Sequence, residues 1–267
     1  MTGSSISPEA SVRADGVPAQ RTLPDRPATD RATRCLAAMR VATERLEAIV
    51  AEFDDAAMDA PSLLPGWSRA HVVTHLARNA DALVNLLRWA RTGVEHPMYA
   101  SKADRDADIE EGADRLAQVL REDLRAASDR FSVAADRMTE SQWQASVASW
   151  NGRTFPASDV PYLRLLEVWV HLVDLDAGIT FADLPAEQQE TLTDLAVFRL
   201  RNRADGPSMA LLVALPNGTE RRWDVPGGLD GPVHNISGEA VAMIGWLTGR
   251  TDGADLTGDL PTLPAWG

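Results

Sequence analysis

Three residues on two predicted helices have the types and number of a catalytic metal site. His75 lies in GWSRAHVVTHLARNADAL, and Glu167 and His171 lie in LLEVWVHLVDL. Zinc in enzymes takes three protein ligands from His, Glu, Asp and Cys and keeps a fourth position open. Glu167 and His171 are spaced i, i+4 and project from one face of one helix. His75 has to come from a facing helix, which is how metal sites are built inside four-helix bundles. Glu-x-x-x-His is also the pattern of an ordinary solvated pair. The neighbours here, Leu163, Leu165, Leu166, Val168, Trp169, Val170 and Leu172, argue for burial. A buried charge needs a partner or a metal.

Other polar residues stand near these in sequence, each with two readings. His71 and His75 form an i, i+4 pair, so His71 is the runner-up ligand, although its place one turn after Ser68 favours exposure. Asn79, one turn beyond His75, is a supporting partner or plain polar lining. Asp174 either orients His171 or faces water. Arg250, after Gly249 at the end of a helix, either complements the helix dipole or clamps a substrate carboxylate bidentately. Arg105 in SKADRDADIEEG has a solvated face as its simpler reading and an anion clamp as the other. Cys35 is the only cysteine, so there is no disulfide framework and no cysteine-based metal site. Its amphipathic setting makes it a small core residue. There is no phosphate-binding glycine loop, no GxSxG elbow and no HExxH.

The elements that must position these residues follow from periodicity. The chain has 267 residues, 45% hydrophobic, and a net charge of -13. The charge argues against nucleic acid and anionic membranes as partners. No apolar run reaches membrane-spanning length and the N-terminus lacks a signal-peptide core, so the expectation is a soluble, cytoplasmic protein. Residues 1–27, rich in Ser, Pro, Ala and Gly, are expected to be a disordered tail. Helices are predicted from about Asp30 to Phe53, from a Ser68 cap to Arg91 before Gly93, from Asp104 to Met138, and from a Ser158 cap to just before Gly178. They make a four-helix bundle over residues 28–180. Over residues 181–267 a helix from Pro185 to Arg201 is followed by a hairpin through a type I′ Asn217-Gly218 turn. A strand at Val233–Ile236 and a helix at Gly238–Leu247 complete a small α+β domain. The fold class is therefore mainly α, a bundle followed by a small α+β domain.

Several stretches resemble a known family: LLPGWSRAHVVTHLARNADALVNLLRWARTG, HPMYASKADRDADIEEG, GRTFPAS and LLEVWVHLVDLDAGITFADLP. They cover most of residues 60–185, with weaker similarity to Gly249-Arg250. The chain resembles the mycothiol-dependent maleylpyruvate isomerase family, whose bundle is of the DinB-like type. The resemblance implies a divalent metal, usually zinc, on His75, Glu167 and His171, a catalytic arginine at Arg250 and an active-site arginine at Arg105. It implies mycothiol as the thiol, maleylpyruvate as the small-molecule substrate and fumarylpyruvate as product, on the gentisate route of aromatic degradation. The implied chemistry is metal-activated thiolate addition, bond rotation and elimination. A mycothiol S-transferase and a non-catalytic metal-binding module are the alternatives. A monomer is expected.

Overall fold

The computed structural model describes residues 28–149, 152–201, 203–228 and 231–266. The expected tail, residues 1–27, lies outside them. Helix α1 (Ala28–Ala51) buries Ala32, Cys35, Leu36, Met39, Ala42, Leu46 and Val50, the apolar stripe of a three- and four-residue rhythm. A short α2 (Asp55–Asp59) follows, capped by Asp54. Helix α3 (Arg69–Thr92) starts on Ser68 and stops at Gly93, whose φ of 71° takes the left-handed form that glycine adopts without cost.

The single helix expected from Asp104 to Met138 is two helices, α4 (Lys102–Ala113) and α5 (Ala117–Asp136). The buried positions 109, 113, 117, 120, 124, 127, 131 and 135 keep one rhythm across the break, so periodicity conceals it. Gly112 lies in the last turn of α4, against α3. A β-carbon there would meet the Thr74 Cγ2 at 2.3 Å, so α4 rests directly on α3. Asp55 then accepts the first backbone N–H of α5, from Ala117 at 2.7 Å.

A one-turn α6 (Glu140–Trp143) and a hairpin of β1 (Ser146–Ala148) and β2 (Thr154–Pro156) fill what the sequence presents as a loop. Helix α7 (Val160–Asp174) begins without a side-chain cap. The expected cap, Ser158, is buried in a 3-10 turn at Ala157–Asp159. Pro161 in the first turn of α7 has no N–H to satisfy, so a cap is less needed there. Helix α1 packs on α7 and α5, and α3 packs on α5 and α7. These four form the bundle around Leu46, Leu76, Phe131, Trp143 and Trp169. Helix α7 is buried on nearly every side, which places Glu167 and His171 inside.

Beyond the bundle come α8 (Ala186–Leu200), β3 (Met209–Ala214), β4 (Glu220–Val225), β5 (His234–Glu239), α9 (Ala240–Leu247) and β6 (Thr257–Gly258). The sheet order is β4-β3-β5-β6, with β3 and β5 parallel and the other pairs antiparallel. Leu211, Trp223 and Ile236 sit in register across it and form a second apolar core with Val197, Leu200, Met243 and Trp246. Helix α8 reaches both cores, since Leu192 and Leu195 belong to the first. The β3–β4 turn is not type I′. The Gly218 N–H donates to the Leu215 carbonyl at 3.0 Å, so Pro216 and Asn217 are the central residues. Asn217 is not among the positive-φ residues and Gly218 has φ 80°. Proline fixes a negative φ, which suits a type I turn followed by a left-handed glycine bulge. No helix among the described residues is long and apolar enough to cross a membrane.

Candidate metal centre

The start of α3 and the end of α7 are tied together by Arg69. Its Nε donates to the Leu175 carbonyl at 2.6 Å and its Nη2 to the Asp176 carbonyl at 2.7 Å. The last carbonyls of a helix have no partners within it, and arginine supplies them. His75 lies less than two turns into α3 and His171 one turn before the end of α7, so this tie brings the two imidazoles together, edge to face. Their ring centres are 4.6 Å apart at 76°.

His71 is spent elsewhere. The Ser68 hydroxyl accepts its N–H at 3.4 Å and its Nδ1 accepts the Ser68 N–H at 3.2 Å, a capping box with histidine in the usual glutamate place. Its Nε2 faces Glu110 at 3.3 Å. The runner-up ligand therefore builds the helix start rather than joining the cluster. Trp67 stacks on His71 and leans on His75, with ring centres 6.1 and 5.7 Å away.

The structure brings His75, Glu167 and His171 together. Glu167 Oε2 is 3.1 Å from Nε2 of His75 and 3.4 Å from Nε2 of His171. One ligand atom from each of the three lies within 4.8 Å of the others. Zinc bonds of about 2.0–2.1 Å at tetrahedral angles put ligand atoms roughly 3.3–3.4 Å apart. The donor set, two imidazole nitrogens and one carboxylate oxygen, fits such an ion.

Each member has an outer partner. Nδ1 of His171 donates to Asp174 Oδ2 at 2.7 Å. Asp174 is fully buried, and Arg250 clamps it through Nε at 3.0 Å and Nη2 at 2.7 Å. The Arg250 Nη1 goes to the Thr248 carbonyl. The carboxylate that Arg250 grips here is thus the protein's own, and Nη1 of Arg250 also serves a carbonyl at the end of α9, as a helix-end arginine does. Oε1 of Glu167 accepts from Arg199 Nη1 at 2.9 Å. Arg105 Nη2 stands 3.3 Å from Nδ1 of His75. A guanidinium only donates, so this Nδ1 is bare and Nε2 carries the hydrogen that meets Glu167. When both are neutral, the two imidazoles therefore hold opposite tautomers.

The electrostatics follow the same division. Burial lowers the His75 pKa to about 4, against the hydrogen bond to Glu167. Burial also acts to lower that of His171, but Asp174 and Glu167 outweigh it and raise the value. Burial acts to raise Glu167, but hydrogen bonds from His171 and His75 and the Arg199 charge hold it well below the usual carboxylate range. Asn79 is buried and accepts from Nη1 of Arg164 at 2.9 Å. The Arg105 guanidinium also lies 5.9 Å from the Tyr99 ring centre. Burial, with the Glu167 charge, pushes the Tyr99 phenol up to about 12.

A family model described as the mycothiol maleylpyruvate isomerase N-terminal domain matches residues 39–176. The chain belongs to this family. Crystal structures of the mycothiol-dependent maleylpyruvate isomerase, and of a histidine-to-alanine mutant of it, are similar at 31% identity and a TM-score of 0.77. The match covers 88% of this chain and 97% of theirs. No curated protein sequence matches it. The matched model contains His75, Arg105, Glu167 and His171, but not Arg199 or Arg250. Arg199 escaped the sequence reading because one arginine in ETLTDLAVFRL carries no local mark of its partner 32 residues away. Trp67 was visible only as part of the loop before a helix cap.

Proposed function

We propose that this family member is a mycothiol-dependent cis-trans isomerase converting maleylpyruvate to fumarylpyruvate, a step of the gentisate route, with zinc on His75, Glu167 and His171. The observation that carries the reading is the convergence of two imidazoles and one carboxylate, each with its own outer partner, in a chain of this family. When bound, zinc would keep a thiol ionised, and reversible addition of that thiol would make the cis double bond single, free to rotate and re-form trans.

The chain's own residues prepare the site. Asp174 keeps the His171 proton on Nδ1, so Nε2 presents its lone pair. Arg199 occupies Oε1 of Glu167 and leaves Oε2 facing the histidines. Once Nε2 of His75 is engaged, its proton belongs on Nδ1, and Arg105 loses its acceptor there. The half-buried Arg105 then has donors free for a substrate carboxylate beside the ligands. That local cation is needed in a chain of net charge -13 that receives a dianion. The nucleophile is external, because Cys35 is buried and burial raises its thiol well above the ordinary value. The reading is of a cytoplasmic monomer that meets free small molecules.

The test is turnover of maleylpyruvate by the zinc-loaded protein, with and without mycothiol. Conversion to fumarylpyruvate is expected only with the thiol. Equal conversion without it would sink the reading.

A further inference from the structure

Two arginines hold the outer carboxylate oxygens of the metal centre, and one aromatic ring lies within cation–π reach of both. Arg199 holds Oε1 of Glu167 and Arg250 holds both oxygens of Asp174. The Arg199 guanidinium carbon lies 4.4 Å from the centre of the Trp266 ring, and that of Arg250 lies 6.0 Å from it. Trp266 packs against both apolar cores. The backbone beside it is anchored, since Arg203 Nη1 donates to the Ala265 carbonyl at 3.3 Å.

The ring answers a physical need. The Arg199 side chain is 29% exposed and makes one hydrogen bond to Glu167. Fixing a long side chain costs rotamer freedom, and a single ion pair at a part-exposed site does little more than offset that loss. A ring face within about 6 Å attracts the charge and narrows the rotamers. Without that restraint Arg199 can leave Oε1, and Glu167 is then free to offer both oxygens to an ion. A second oxygen would close the open position that a catalytic ion needs.

We propose that Trp266 is a positioning residue for the metal centre. Its ring fixes Arg199, and at longer reach Arg250, so that Glu167 presents one oxygen and Asp174 keeps His171 turned. The inference rests on the metal reading above.

The experiment uses the full chain, stripped of metal and reloaded with cobalt(II), in Trp266→Leu, Trp266→Phe and Arg199→Gln. Cobalt affinity is read by competition with a chelator, and coordination by the intensity of the visible absorption, which falls when a fifth ligand enters. Melting of the metal-free proteins is followed alongside. Trp266→Leu should weaken cobalt binding about tenfold, the low end for outer partners of a metal site, and dim the visible bands. Trp266→Phe keeps a ring face and should stay within about threefold of the parent. Arg199→Gln should reproduce the leucine result, and it decides the matter if Trp266→Leu does not fold. Parent-like affinity and spectrum in Trp266→Leu or Arg199→Gln would overturn the proposal, as would an equal loss in Trp266→Phe. Cobalt binding by the parent with no change in the variants removes this inference alone. No binding by the parent removes the metal reading too.

Discussion

The two imidazoles of the cluster are the same group at the same depth, yet their neighbours set them in opposite states. His171 faces a buried carboxylate, Asp174, at 2.7 Å, and so keeps its proton on the outer nitrogen. His75 faces a guanidinium, Arg105, at 3.3 Å, and so keeps its proton on the nitrogen that points at Glu167. His171 is set for an ion once it loses the extra proton from Nε2, whereas neutral His75 has to shift its proton from Nε2 to Nδ1. The carboxylate and its clamp come from α7 and from beyond α9, while the guanidinium comes from α4. His75 comes from a helix 92 residues before Glu167, and Arg250 reaches Asp174 from 76 residues beyond it, so both the ligand set and its readiness depend on parts of the chain far apart in sequence.

The largest expected effect removes the comparison altogether. His75→Ala, His171→Ala or Glu167→Gln should each lose nearly all bound metal, exceeding the 10- to 100-fold that outer partners typically carry. Elemental analysis checks this, and full occupancy in any of the three would remove that residue from the site.

The next test asks whether the two sides differ. Asp174→Asn should cost about 10- to 100-fold in metal affinity. It also leaves the buried Arg250 without its carboxylate, at about 3–5 kcal/mol of stability. Arg250→Lys keeps the charge but loses the fork. A milder loss is expected there, about tenfold in kcat/KM or ~1.4 kcal/mol, with weaker metal binding alongside because Arg250 acts through Asp174. Arg105→Met should leave metal affinity equal or higher while kcat/KM falls, since the residue competes with the proton for Nδ1 of His75 and serves the substrate. Equal metal losses in Asp174→Asn and Arg105→Met would erase the distinction.

The pH dependence of metal binding sharpens it further. An ion binds only deprotonated ligands. The His171 pKa is raised, so it holds a proton in the metal-free protein at and somewhat above the ordinary histidine range. The His75 pKa is lowered to about 4, and Glu167 lies well below its ordinary value. Affinity should therefore fall by one decade per pH unit as pH drops below the raised His171 value. A second proton should enter only near pH 4. A slope of two at pH 6, measured by chelator competition, would show that both histidines titrate together.

Part of this was legible in the sequence and part was not, for reasons that particular residues make plain. Glu167 and His171 share a helix face by spacing alone, and Leu165, Val168, Trp169 and Val170 announced the burial. His75 was readable as a candidate because Ser68 and Gly93 mark both ends of its helix. The bundle was readable from apolar rhythm, but that rhythm runs unbroken from position 109 to 135 and so hid the gap between α4 and α5. The Pro216-Asn217-Gly218 turn misled because Asn-Gly suggests a two-residue turn, whereas the proline before it fixes a different one. The hairpin of β1 and β2 and the strand β6 are too short to show a period. Arg199 and Trp266 were invisible because their partners are set by how α8 and residues 261–266 lie on the bundle, which no local pattern encodes.

The smallest expected effect is at Cys35, and it tests whether the nucleophile comes from outside. Cys35 is 4% exposed and packed in the bundle core. Charges felt by its thiol belong to Arg31 and Asp159, at the beginning of α7. Glu167 and His171 lie eight and twelve residues beyond Asp159, and a helix rises about 1.5 Å per residue, so this end of α7 is roughly 12–18 Å from the cluster along the axis. Burial raises the thiol well above its ordinary value, and a protonated thiol is a poor nucleophile. Serine keeps nearly the same volume but places a hydroxyl among apolar side chains, at about 1–3 kcal/mol. Cys35→Ser should therefore melt a few degrees lower, bind metal as before and turn over maleylpyruvate at the parent rate with mycothiol present. A folded, metal-loaded Cys35→Ser protein without activity would move the nucleophile into the chain, and the contrast between the two histidines would then need a different chemistry to serve.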